Sequence, residues 1–233
     1  MDLIVNVLLS FILTVVVHES GHYFFGRMSG YSFRSLELFG VKMIRKYGQL
    51  KIMLSQEACI GQCIMLPAGR KIDGSLLILG GVFFNAYMAC ISGVLTGIFP
   101  KFCFPLFFLN LAAVLGNLYP FSATNDGNTY SDAIKSALHM ETYNRLMEVY
   151  SAIVTGEEWK NLDDELFEMP DIVFSSLSAE FAVCRLLHVT EKADFDDTGK
   201  KAVNRELRRL ERFAPGLVDM EAMDGIGFYW KNN

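Results

Sequence analysis

The sequence predicts an α-helical polytopic membrane protein with a small β-sheet and a polar, all-helical C-terminal domain. Hydrophobic residues make up 52% of its 233 residues, and the net charge is -5. Residues 1–121 carry 9 Lys and Arg against 5 Asp and Glu, whereas residues 122–233 carry 12 against 21. This composition excludes a disordered or nucleic-acid-binding chain, which would need low hydrophobicity or a basic excess. We expect a membrane core over residues 1–130 and a helical tail domain over residues 131–233.

Three apolar stretches are long enough to cross a bilayer, which takes roughly 20 helical residues. They cover about residues 3–25, 76–99 and 102–119. A cleaved signal peptide is the competing interpretation of the first stretch. The start Met1-Asp2 supplies no positive charge, and no small-residue cleavage site follows the apolar run. The sequence therefore favours a three-helix transmembrane core.

The orientation of the core follows from the cations of its loops. Only Lys101 lies between the second and third stretches. The loop between the first and second stretches is strongly basic and contains Arg27, Arg34, Lys42, Arg45, Lys46, Lys51, Arg70 and Lys71. Because cytoplasmic loops carry the excess of Lys and Arg, we expect a multi-pass membrane protein with the basic loop in the cytoplasm. Its N-terminus would lie outside and its tail in the cytoplasm.

The basic loop also carries a strand pattern. Apolar and polar residues alternate imperfectly over 33–38, 41–44 and 49–54, and a further extended run covers 59–66. Tyr47-Gly48 is a plausible turn between two of these segments. We predict a sheet of three or four short strands at the cytoplasmic membrane face. A free edge of such a sheet could bind an extended peptide, although a purely structural hairpin is equally compatible.

The acidic tail predicts helices near residues 131–155, 172–189 and 199–213, with Gly156 ending the first. In the last of these, Val203, Leu207 and Leu210 share one face and the arginines lie on the other. The tail carries no catalytic constellation. We expect it to recruit a substrate or a regulator, or only to cap the core.

The first apolar stretch contains His18-Glu19-Ser20-Gly21-His22, an H-E-x-x-H sequence. On a helix, positions i and i+4 share a face, so both imidazoles can bind one metal ion. Zinc suits two imidazoles and one carboxylate, with a fourth position open for water, and Glu19 can act as the general base. Ionisable groups inside a membrane are energetically costly, so their presence usually indicates a function. The motif therefore predicts a zinc-dependent peptide hydrolase.

The third ligand must come from elsewhere in the chain. Asp126 follows the third apolar stretch, and the predicted topology puts it on the same membrane side as His18 and His22. Asn-Asp-Gly is also an ordinary turn sequence. Glu141 and Glu148 are the alternative ligands, as in membrane zinc proteases whose site faces an aqueous chamber.

The H-E-x-x-H sequence inside the first apolar stretch, N-x-x-P from Asn117 and D-G at Asp126 together resemble the site-2 protease family of intramembrane zinc metalloproteases. The similarity covers roughly residues 1–130. Together with the compactness of the chain, it implies a bacterial cell membrane. Asp126 lies nine residues after Asn117, one more than in the commonest form of the family. The resemblance implies that His18, His22 and Asp126 bind Zn2+ and that Glu19 is the base.

The resemblance also implies substrate contacts. Asn117 would hold the substrate backbone, and Asn85 completes a family G-x-x-x-N that begins at Gly81. The edge strand that would hold substrate extended comprises Gly61, Gln62, Cys63, Ile64 and Met65. Membrane-bound regulators and small peptide precursors are both compatible substrates. A non-enzymatic membrane adaptor with a structural metal site is the alternative from another class, and a metal transporter is a weaker one.

Overall fold

The structure, a computed structural model, describes residues 3–55, 59–119, 125–168, 175–193 and 197–213. The chain is mostly helical and divides into two compact units, Met1–Thr155 and Gly156–Asn233. Two points of the sequence analysis, Pro120 of N-x-x-P and the start of a helix at residue 172, lie outside the described residues.

Three apolar helices form the framework of the first unit. They are α1 (Leu3–Met28), α2 (Ser75–Leu95) and α3 (Pro100–Leu118), and each packs against the other two. All three are long and apolar enough to cross a membrane. Apolar side chains cover most of their outer surfaces, as expected for helices that face lipid. The three apolar helices predicted from the sequence are confirmed, and α1 extends three residues beyond the predicted end.

The backbones of helices α1 and α2 are in direct contact at Gly21 and Gly80. A Cβ atom added to Gly21 would lie 2.1 Å from the carbonyl oxygen of Gly80, and one added to Gly80 would lie 2.5 Å from the carbonyl oxygen of Gly21. Small residues at a helix interface permit such an approach. The contact places α2 directly beside the H-E-x-x-H segment.

A four-stranded antiparallel sheet follows α1, in the order β3-β2-β1-β4. Its strands are β1 (Tyr31–Leu38), β2 (Val41–Lys46), β3 (Gln49–Leu54) and β4 (Gly61–Pro67). Two-residue turns at Phe39-Gly40 and Tyr47-Gly48 join the first three strands, and all four turn residues have positive φ. This conformation suits the twist of a tight hairpin. The predicted sheet and its Tyr47-Gly48 turn are confirmed.

The helix predicted over residues 131–155 is wrong, because two helices occupy this region. They are α4 (Asp126–Ala133) and α5 (Ala137–Val154). The break occurs where the Ser136 side chain caps α5 by accepting a hydrogen bond from the His139 amide. An N-cap residue has extended backbone, so it cannot continue a helix. Gly156, with φ of 88°, follows the end of α5 as predicted.

Helix α5 belongs to the first unit because it packs against β4 and β1. The Tyr31 hydroxyl donates to Oδ1 of Asn144, and the amide of Asn144 donates to the carbonyls of Arg70 and Ile72, at 2.9 Å each. One buried asparagine thus ties α5 to the sheet and to the loop before α2. The division between the units, at Thr155–Gly156, lies beyond the boundary expected near residue 130.

The second unit contains two short 3-10 turns, Trp159–Asn161 and Asp164–Phe167, and the helices α6 (Ser176–Lys192) and α7 (Asp197–Phe213). Its core is an apolar cluster shared by the two helices: Ala182, Leu186, Val203, Leu207 and Leu210. Beside this cluster, buried Arg185 donates to Glu206 at 2.7 Å. The apolar face predicted for the last helix is confirmed.

Candidate metal centre

Three side chains from two helices converge beside α2. His18 and His22 lie one turn apart on α1, and their Nε2 atoms are 3.1 Å from each other. Oδ2 of Asp126, in the first turn of α4, lies 3.3 Å from Nε2 of His18 and 3.6 Å from Nε2 of His22. Among the residues that the structure describes, this is the group of His, Cys, Asp and Glu side chains arranged to hold a metal ion.

The hydrogen bonds around the cluster favour a cation at its centre. Nδ1 of His22 lies 2.8 Å from the carbonyl oxygen of Leu77, which can only accept. Nδ1 of a neutral His22 therefore carries the proton, and Nε2 presents its lone pair to the cluster. Oδ2 of Asp126 is buried there without a hydrogen-bond partner. A metal ion would satisfy the facing lone pairs together, as buried polar atoms require.

The spacing of the three atoms suits zinc. Ligand bonds of roughly 2.1 Å in a tetrahedral site place neighbouring ligand atoms about 3.4 Å apart. The observed separations are 3.1, 3.3 and 3.6 Å. Two imidazoles and one carboxylate also form the donor set of catalytic zinc sites, which keep one position open.

Asp126 reaches the histidines because α4 begins against the end of α3. The Asn125 side chain caps α4 by accepting from the Asn128 amide, and its own amide group donates to the carbonyls of Gly116 and Tyr119. A Cβ atom on Gly127 would lie 2.1 Å from the carbonyl oxygen of Leu118. The Asn-Asp-Gly sequence is thus a helix start in which both flanking residues fix the position of the carboxylate.

Glu19 is buried between α1 and β4. A Cβ atom on Gly61 would lie 2.6 Å from Oε1 of Glu19, so the absence of a side chain at Gly61 makes room for the carboxylate. The carboxylate therefore lies where the first residue of β4 meets the H-E-x-x-H helix turn.

The five residues predicted to hold substrate all lie on β4, the edge strand beside β1. Ile64 and Met65 are buried, and Met65 packs near Gly26 of α1, whereas Gln62 is exposed. Burial, together with the charge of Glu19, raises the pKa of the Cys63 thiol to about 12, so this residue stays a neutral thiol.

The two asparagines implicated by the resemblance occupy different surroundings. The amide of Asn117 donates to the carbonyl of Ala113 on its own helix, at 3.0 Å. Asn85 is fully buried, and its Nδ2 lies 3.2 Å from Nδ1 of His18. The structure thus brings Asn85 into contact with the cluster, whereas the Asn117 side chain bonds within α3.

The alternative third ligands are engaged elsewhere. Glu141 forms an ion pair with Arg145 at 3.1 Å, and Glu148 forms one with Arg70 at 3.3 Å. Neither carboxylate belongs to the cluster found within the described residues. The geometry favours Asp126 over both.

Several contributions to the site escaped the sequence analysis. The Leu77 carbonyl is a backbone group, so no residue type could signal it. The Gly21–Gly80 contact had a weak signal, since glycines in apolar helices often mark close packing. The cap formed by Asn125 was hidden because Asn-Asp-Gly reads equally well as a turn.

No family model, curated protein or solved structure matches this chain. The site is therefore interpreted from its own geometry.

Proposed function

We propose that this protein is an intramembrane zinc metalloprotease, which hydrolyses a peptide bond of a membrane-embedded or membrane-associated substrate. The observation that carries the proposal is the convergence of His18 and His22, on an apolar helix long enough to cross a membrane, with Asp126 of α4. Such a set of buried polar groups is costly in lipid and is satisfied by a metal ion.

The two histidines and Asp126 would hold the zinc through Nε2, Nε2 and Oδ2. When bound, zinc supplies Lewis acidity, which activates water and polarises a carbonyl group. Glu19 accepts a proton from the attacking water at its carboxylate and returns it to the departing amine nitrogen.

A membrane-embedded substrate must lose backbone hydrogen bonds before it can be cleaved. A transmembrane helix hides its carbonyls in its own hydrogen bonds, and lipid offers no other partners. A substrate that unwinds beside β4 could regain hydrogen bonds by pairing with this edge strand. Gly61, the first residue of β4, touches Glu19, so a strand bound there would pass the catalytic base. Regulators held in the membrane and small peptide precursors both fit this mode.

The proposal includes the orientation of the protein in the membrane and the role of its second unit. The cations of the loop between α1 and α2 favour a sheet on the cytoplasmic side of the membrane, with the N-terminus outside. The resemblance to site-2 proteases and the compactness of the chain favour a bacterial cell membrane. The second unit would then lie in the cytoplasm, where it could bind a substrate or a regulator.

The test begins with metal content. Detergent-purified wild type should contain one zinc per chain, and Asp126→Ala should lose it. Glu148→Ala is the matched control, because it removes a carboxylate of the same unit that lies outside the cluster. Zinc retained in Asp126→Ala and lost in Glu148→Ala would transfer the ligand role to the alternative residue.

The same preparations then test the chemistry. Glu19→Gln should keep zinc and lose cleavage of single-span membrane proteins presented in proteoliposomes, by roughly a hundredfold or more. Full turnover by this variant would exclude Glu19 as the general base. A folded wild type without zinc would instead favour a membrane adaptor.

A further inference from the structure

Asn85 is one of the most deeply buried polar residues of the apolar helices. Its side chain has no exposed surface, and its Nδ2 lies 3.2 Å from Nδ1 of His18. Its Oδ1 is buried with no hydrogen-bond partner in the described part of the chain. An amide with one unsatisfied oxygen in an apolar helix bundle calls for a specific reason.

The ring of His18 is confined on this side. A Cβ atom on Gly81 would lie 2.5–2.6 Å from three of its ring atoms, so the ring packs directly on the backbone of α2. The ring of His22 meets it edge-on, with centroids 4.8 Å apart. Between these neighbours, the ring presents its Nδ1 atom to the side-chain amide of Asn85.

The two histidines differ in what faces Nδ1. For His22 the partner is the carbonyl of Leu77, which requires a proton on Nδ1. For His18 the partner is an amide group, which can donate through nitrogen or accept through oxygen. Rotation of the Asn85 amide by half a turn exchanges the two atoms without changing the shape of the side chain. Asn85 is therefore compatible with both neutral forms of the His18 ring.

Only one of these forms suits metal binding. When Nδ2 of Asn85 donates to Nδ1, the ring proton lies on Nε2 and points towards Asp126 and His22. When Oδ1 accepts from Nδ1, the lone pair of Nε2 faces the cluster, as metal binding requires.

We propose that Asn85 is a positioning residue that selects the tautomer of His18: its amide oxygen accepts from Nδ1 and so leaves the lone pair of Nε2 free to bind zinc. This inference rests on the proposed zinc site. It assigns Asn85 to the metal ligand rather than to the substrate.

The experiment measures zinc affinity by chelator competition in detergent. Asn85→Leu, similar in size but without hydrogen bonds, should weaken zinc binding about 10- to 100-fold, the usual cost of losing an outer-shell partner. Asn85→Asp, which can accept at Nδ1, should restore affinity to within a few fold of wild type. Asn110→Leu is the control. Asn110 is an equally buried membrane-helix asparagine that bonds Thr14, so its loss should leave zinc affinity unchanged.

A second measurement does not depend on the folding of any variant. Nitrogen NMR of zinc-loaded, 15N-histidine-labelled wild type should show His18 protonated on Nδ1. A zinc-loaded His18 without a proton on Nδ1, or wild-type zinc affinity in folded Asn85→Leu, would overturn the role of Asn85 while leaving the zinc site intact. A wild type that binds no zinc would overturn both.

Discussion

The substitution Gly21→Ala, inside the H-E-x-x-H segment, should weaken metal binding although Gly21 is not a ligand. The added Cβ atom would lie 2.1 Å from the carbonyl oxygen of Gly80 and 2.6 Å from its carbonyl carbon. Both neighbours are backbone atoms, so they cannot turn away as a flexible side chain could. Helices α1 and α2 must separate instead.

The size of this separation follows from the contact. Cβ atoms essentially never approach other heavy atoms within 3.0 Å, so the helices must move apart by about 0.9 Å. The 2.8 Å contact between Nδ1 of His22 and the Leu77 carbonyl would then lengthen to about 3.7 Å, which is too long for a hydrogen bond. Metal sites tolerate distance errors of only about 0.2 Å. We expect zinc affinity to fall roughly 10- to 100-fold and stability to fall by about 1–3 kcal/mol.

Chelator competition and thermal unfolding in detergent measure the two effects. Gly116→Ala is the matched control, because it adds the same methyl group to a glycine of α3 that has open space around it. This control should keep wild-type zinc affinity. If Gly21→Ala also bound zinc as tightly as wild type, the backbone contact between α1 and α2 would not position His22.

Two further predictions concern other contacts. Gly61→Ala would place a Cβ atom 2.6 Å from Oε1 of Glu19 and displace this carboxylate. Because Glu19 is not a zinc ligand, zinc should be retained while cleavage falls about tenfold or more. Gly69→Ala, which adds its methyl group in open space, should be neutral in both assays. Glu206→Ala would leave the buried Arg185 charge without its partner and should destabilise the second unit by about 3 kcal/mol. Both tryptophans follow residue 155, so urea unfolding monitored by their fluorescence measures this loss, and an unchanged midpoint would contradict it.

The roles of the two units rest on different kinds of observation. In the first unit, two histidines of the apolar helix α1 and Asp126 of α4 converge on one point, an arrangement that could hold a metal ion. In the second unit, the described helices share an apolar core and a buried ion pair, which indicates a folded module without a comparable cluster among its described residues. Deleting residues 157–233 and assaying cleavage would separate recruitment from catalysis.

Local patterns in the sequence determined much of the fold. Apolar runs of about 20 residues predicted α1, α2 and α3, because lipid demands a continuous apolar helix. The alternation and the Tyr47-Gly48 turn predicted the sheet, because strand pairing and tight turns depend on neighbouring residues. The pairing of His18 with His22 also needed only helical periodicity.

The tertiary structure decided what surrounds those two histidines. Asp126 joins them because Gly127 lets α4 start directly against α3, and the sequence could only place this carboxylate on the expected side of the membrane. The contacts of Leu77 and Asn85 with the two rings depend on how closely α2 packs on α1. Such contacts join residues more than fifty positions apart, and their geometry depends on the absence of side chains at glycines. The sequence therefore determined which residues could bind a metal, and packing decided how they are oriented.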